Sequence, residues 1–103
     1  MVVNLKFSEL DMIRFSDMTE KEKDLFVASV IEFFEDDGSM NGRSTEELVM
    51  AFPDYHEKDL KHQRVCLVSS RDLYQNQPGR GALYIAKREG LEKARKLRRK
   101  WEQ

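Results

Sequence analysis

Apolar residues recur at helical spacing in several stretches of the chain, and a shorter, strand-like pattern sits before the last of them. The most regular stretch is "TEKEKDLFVASVIEFF". Phe26, Val27, Val30, Ile31, Phe33 and Phe34 form one broad apolar arc there, which predicts a helix buried on that side. Leu25 and Ala28 fall on the other side beside Glu32, so a second contact surface is available. "TEKE" is a capping box: the Thr19 hydroxyl can accept from the Glu22 amide, and the Glu22 carboxylate from the Thr19 amide. "EDDGSMNGR" stops this helix with two glycines and with acidic residues unsuited to a C-terminal dipole end.

A second capping box, "STEE", places Ser44 at the N-cap of a short helix from Thr45 to about Phe52. Leu48, Val49 and Phe52 give its inner face, and Pro53 ends it. "EKDLKHQRVCLVSSR" follows, with Asp54 as the expected cap. Leu60, Leu67 and Val68 cluster on a helical wheel, although Arg64 and Arg71 fall in the same arc and "RVCLVS" has the β-branched content of a strand. The expectation is a helix from Glu57 to Ser70. At the start, "SELDMIRF" is expected to form a short helix capped by Ser8, with Leu10, Met12 and Ile13 on one side.

"RDLYQ" and "ALYIA" read as antiparallel strands around "NQPGRG", whose proline and glycines supply turn chemistry. "KREGLEKARKLRRKWEQ" is helical, with Leu91, Ala94, Leu97 and Trp101 on one narrow stripe and cations over the rest. Gly90 in its first turn is a local weakness. The sum is a mainly α fold with a small β-hairpin.

Charge sharpens this picture. Residues 1–60 hold 6 Lys/Arg against 15 Asp/Glu, whereas residues 61–103 hold 12 against 4. The second half is therefore suited to a polyanion, unless the two halves neutralise each other across the fold or a dimer. With 103 residues the chain is sized for one domain. A mean hydropathy of -0.69 demands a heavily solvated surface. No apolar run approaches the ~18–20 residues that cross a bilayer, and no secretory signal is read at the start. Cys66 is alone and has no internal disulfide partner, so a reducing, cytoplasmic setting is expected.

The segment "RDLYQNQPGRGALYIAKREGLEKARKL" resembles the wing and exit helix of MarR-like and PadR-like winged helix-turn-helix regulators. Leu73, "PGRG", Tyr84 and Gly90 carry the resemblance, and it spans about residues 19–100. Asp72 departs from it by standing where a glycine is usual. The resemblance implies a winged helix-turn-helix plus a C-terminal helix. Residues 1–18 would be an N-terminal extension, 19–85 the winged-helix core and 86–103 the basic C-terminal helix of a single domain.

It also implies double-stranded DNA as partner. The helix at 57–70 would be the recognition helix, offering Lys58, Lys61, His62, Gln63 and Ser69 to a major groove. Against this, Glu57 and Asp59 are the wrong sign for phosphate, and a solvated face on a protein-binding module would look similar. Asn76, Gln77 and Arg80 on the wing would reach a minor groove or flanking phosphates. Arg43 and Ser44, at a helix N-terminus, suit a phosphate, although Ser44 is first a cap.

The stripe Leu91, Ala94, Leu97 and Trp101 suits either a second copy or the chain's own first helix; a homodimer is the expectation. The cations around it are left between phosphate contact and solvated face. His62 and Cys66, with Asp59 nearby, are too few and too collinear for a tetrahedral metal site, so no metal or cofactor is expected. No phosphate-binding glycine loop or nucleophile–base order is present, and no enzymatic activity is expected. The expectation is a DNA-binding transcription regulator. Its rivals are the same fold used as a protein–protein interaction module and, more weakly, an RNA-binding adaptor.

Overall fold

A computed structural model describes residues 12–76 and 81–102. Four helices and a hairpin follow in order: α1 (Glu20–Phe33), α2 (Thr45–Ala51), α3 (Glu57–Ser69), β1 (Leu73–Gln75), β2 (Tyr84–Ala86) and α4 (Arg88–Lys100). Both capping boxes form. Glu22 N donates to Thr19 Oγ1 at 3.2 Å while Thr19 N donates to Glu22 Oε1 at 2.8 Å. The Ser44–Glu47 box is built the same way. The cap of α3 differs from expectation: His56 takes the place assigned to Asp54, its Nδ1 accepting from Lys58 N at 3.1 Å.

The β-branched stretch in α3 is helical, because its apolar arc finds a core. Leu60 and Leu67 are buried with Phe26, Val30 and Ile31 of α1, Phe34 at its C-cap, Leu48 of α2 and Leu73 of β1. Helix α3 ends at Ser69, one residue short of the expected end, in a Schellman closure. Arg71 N donates to Val68 O and Asp72 N to Leu67 O, and Arg71 adopts a left-handed φ of 67°. The glycine position of the resemblance is thus filled by Arg71 and Asp72 together. This closure uses up two residues expected in the first strand, so β1 begins only at Leu73.

The strands pair antiparallel with Leu73 opposite Ala86, Tyr74 opposite Ile85 and Gln75 opposite Tyr84. On its other edge β2 meets a one-residue third strand: Arg43 and Tyr84 exchange both backbone hydrogen bonds, at 3.0 and 2.9 Å. Gly42 lies beside this bridge with φ 83°, and a Cβ there would sit 2.9 Å from Tyr84 O. Only glycine satisfies both conditions.

Met12–Arg14 are not helical. Ile13 makes a parallel bridge with Tyr55, and a single 3-10 turn follows at Phe15–Asp17. The expected helix from Ser8 otherwise falls outside the described residues.

Helix α4 packs on α1, on the face holding Asp24, Ala28 and Glu32. The second contact surface of α1 is therefore occupied by the chain's own last helix. Arg98 clamps Glu32 through two hydrogen bonds of 2.6 Å and reaches Ser29 Oγ at 3.0 Å. Lys100 bridges Glu20 and Asp24, and the Trp101 indole N–H donates to Asp24 Oδ2 at 2.8 Å. The neutralising reading of the charge asymmetry is realised at this contact.

These partners hold the Asp24 carboxyl below its ordinary value, the indole hydrogen bond first and Lys100 next, against a smaller opposing effect of burial. A depressed carboxylate stabilises above its unfolded value, about 3.9, and the contribution is lost as pH falls through the folded value. Trp101 is the sole tryptophan. Its emission should stay constant from neutral pH and shift to the red below about pH 4 at unchanged far-UV dichroism. Asp24→Asn should remove that step; a step that survives in this variant would assign it to another group.

Candidate nucleic-acid interface

The site is built on α3, whose burial pattern separates inward from outward residues. Leu60 and Leu67 point to the core. Arg64, in the same arc, also turns inward: its guanidinium lies 4.5 Å above the Tyr84 ring. Its Nε is buried without a hydrogen-bond partner among the described residues, so the aromatic face is its compensation. The side chain thus locks α3 to β2 and is not offered to a ligand.

Outward lie Lys58, Lys61, His62, Val65, Cys66 and Ser69, all exposed, while Gln63 is half-buried at the flank. The acidic residues that weighed against phosphate binding are both engaged. Asp59 accepts from Phe15 N at 2.8 Å and from Arg14 Nε at 3.1 Å, tying the N-terminal segment to α3. Burial pushes its carboxyl up, but the Arg14 and Phe15 hydrogen bonds outweigh this and hold it below the usual range. Glu57 pairs with Lys61 at 2.5 Å, one turn on, which lowers its own titration. Cys66 Sγ lies 3.4 Å from His62 Nε2 on the exposed face, while Asp59 is turned away to Arg14.

The other expected contacts are distributed. Asn76 opens the hairpin loop, its amide nitrogen donating to Met40 O at 3.4 Å. Gln77 and Arg80 lie outside the described residues. Arg43 and Ser44 do not join the α3 face. The Arg43 guanidinium covers the Phe33 ring at 5.0 Å, and Ser44 is committed to its cap. Both stand near a cavity lined by Glu35, Asp36, Asp37 and Glu47, which disfavours an anion. Leu91, Ala94, Leu97 and Trp101 rest against the same chain, with Ala94 in the core and Trp101 on Asp24.

Val65 was not singled out from the sequence, and it stands beside Cys66 and His62 on the exposed face because Leu60 and Leu67 set the inward arc. Arg64 was legible as an oddity of the apolar arc, though not as a cap on Tyr84.

Among the described residues no helix is long and apolar enough to cross a membrane. No protein-family model, curated protein or solved structure matches the chain. The class therefore rests on architecture alone: a small, mainly helical fold with a two-stranded antiparallel hairpin, consistent with a winged-helix type in general. The MarR-like and PadR-like resemblance is not supported by any of these comparisons.

Proposed function

We propose that this chain is a winged-helix DNA-binding protein acting in transcription regulation, with α3 as its reading helix. The observation that carries the reading is the outward face of α3. Asp59 is turned to Arg14 and Glu57 is paired with Lys61 along the helix, which leaves Lys58, His62 and Ser69 exposed across about 17 Å of helix. A major groove about 12 Å wide accepts such a helix. In this reading Lys58 holds a phosphate and Lys61 does so by exchanging Glu57 for it, while His62, Gln63 and Ser69 face base edges. Asn76 stands at the described edge of the wing, where flanking backbone would pass, and Arg43 with Ser44 supports the fold rather than the ligand. Two copies on a two-fold-symmetric site belong to the proposal. Since the Leu91–Trp101 stripe rests on α1, a dimer through it would form by exchanging α4 between copies.

The test is binding to random duplex over a salt series. Lys58→Ala with Lys61→Ala should weaken binding about tenfold and reduce the salt slope by about two. Absence of duplex binding at low salt would overturn the reading. It would favour a protein-interaction module instead, for which Met50, Tyr74 and Val65, at 79%, 54% and 47% exposure, supply apolar contacts.

A further inference from the structure

Helix α4 carries seven cations, and the structure divides them by face. Lys93 is held by Asp72 at 3.0 Å, Arg98 by Glu32, and Lys100 by Glu20 and Asp24. Arg88, Arg95, Lys96 and Arg99 are exposed and have no carboxylate within ion-pair distance among the described residues. At about 100° per residue these four fall within an arc of about 100°, centred opposite Gly90 and Ala94. Glu92 lies within the arc, Glu89 at its edge and Glu35 beside Arg95, so four cations face three carboxylates there. Arg95, Lys96 and Arg99 line one shallow notch with Glu92.

We infer that the outward face of α4 is a second nucleic-acid surface, independent of base sequence, that grips the phosphate backbone of a duplex other than the one on α3. The charge is of the right sign, and three of the four cations are arginines, whose planar fork matches phosphate oxygens. Arg88 to Arg99 spans about 17 Å, the axial length of roughly five base steps. An anionic membrane is the poorer fit: Leu91, Leu97 and Trp101 face α1, leaving this face without an apolar group to insert. The separation from α3 follows from the packing. Helix α1 meets α4 through Asp24, Ala28 and Glu32, and turns Phe26, Val30 and Phe34 to the rest of the core. The free cations, centred opposite Gly90 and Ala94, therefore face away from α1 and from Asp72 at the end of α3.

The bridging half of this inference rests on the α3 reading; the α4 contact does not. The test mixes the full chain with two short random duplexes carrying a donor and an acceptor dye. Wild type should bring them together and give energy transfer. The Arg95→Gln, Lys96→Gln, Arg99→Gln variant should abolish transfer yet keep its fold, read by Trp101 emission, and bind a single duplex within about threefold of wild type. Transfer that survives in this variant, or fails in a wild type that binds one duplex through Lys58 and Lys61, overturns the inference. Duplex binding lost in the α4 variant and untouched by Lys58→Ala and Lys61→Ala upholds the α4 surface and overturns the α3 reading. No duplex binding at all overturns both. Tighter binding to phosphatidylserine vesicles than to duplex, lost in the α4 variant, replaces nucleic acid by membrane as the occupant.

Discussion

Gly90→Ala should lower stability by about 3 kcal/mol, the upper end of the usual range for overpacking. Helix propensity alone predicts the opposite sign, since alanine is favoured over glycine by about 1 kcal/mol in a helix interior. The reversal comes from Asp72. A Cβ on Gly90 would lie 2.3 Å from the Asp72 carbonyl oxygen, 3.0 Å from its carbonyl carbon and 3.1 Å from its Cα. None of these atoms belongs to a flexible side chain, and Asp72 has little freedom to move. Its N–H closes the end of α3 on Leu67 O, and its carbonyl accepts from Lys87 N. Its carboxylate accepts from Ser70 Oγ at 2.6 Å and from Lys93 Nζ at 3.0 Å. The added methyl must therefore push α4 off the end of α3. Thermal melting would show a drop of roughly 15 °C, taking about 4–8 °C per kcal/mol for a domain of this size. An unchanged or raised midpoint would mean that the crossing is looser than this geometry.

Phe34→Ala should cost about 3–5 kcal/mol, comparable to a large part of the roughly 5–15 kcal/mol that holds a domain of this size. Phe34 is 1% exposed and sits where α1, β2 and the loop before α2 converge. Its ring meets Tyr84 edge-on at 6.0 Å and Phe33 at 5.1 Å, and its carbonyl accepts from Ala86 N at 2.8 Å. Removing the ring leaves a cavity beneath the strand that carries the Arg43–Tyr84 bridge, and the Arg64 guanidinium loses a firmly seated Tyr84. Urea unfolding should show a lower midpoint at unchanged slope, the mark of lost stability rather than an altered unfolded state. A loss below about 1.5 kcal/mol would show that neighbouring side chains collapse into the space.

Other residues show where legibility ended. The two capping boxes were readable because each involves residues three apart. The apolar arc of α1 was readable for the same reason. Gly90 and Asp72 were both visible as irregularities, one a weak point in a helix and the other a departure from a resemblance. Each explains the other only once the two segments cross. Arg64 in an apolar arc was likewise an anomaly until Tyr84, twenty residues on, was found beneath it. On the candidate interface, His62, Gln63, Ser69 and Ser70 fall away from the apolar arc of the sequence, and all are exposed except Gln63, which is half-buried. Arg43 was read as a phosphate contact, but its guanidinium lies on the Phe33 ring near a group of carboxylates that the linear order leaves unassembled.

By itself the chain determined α1, α2 and the two capping boxes, the hairpin and the existence of a cationic last helix, since these follow from interactions within a few residues, whereas the cap of α3 and the fate of Met12–Arg14 did not. Tertiary structure alone decided which surfaces remain for a partner. It gave the Leu91–Trp101 stripe to α1, spent Lys93, Arg98 and Lys100 on internal carboxylates, and left Arg88, Arg95, Lys96 and Arg99 exposed without an ion pair among the described residues. Those outcomes depend on contacts between segments up to about 80 positions apart, such as Lys100 with Glu20, and side-chain periodicity carries no record of the partner across that distance.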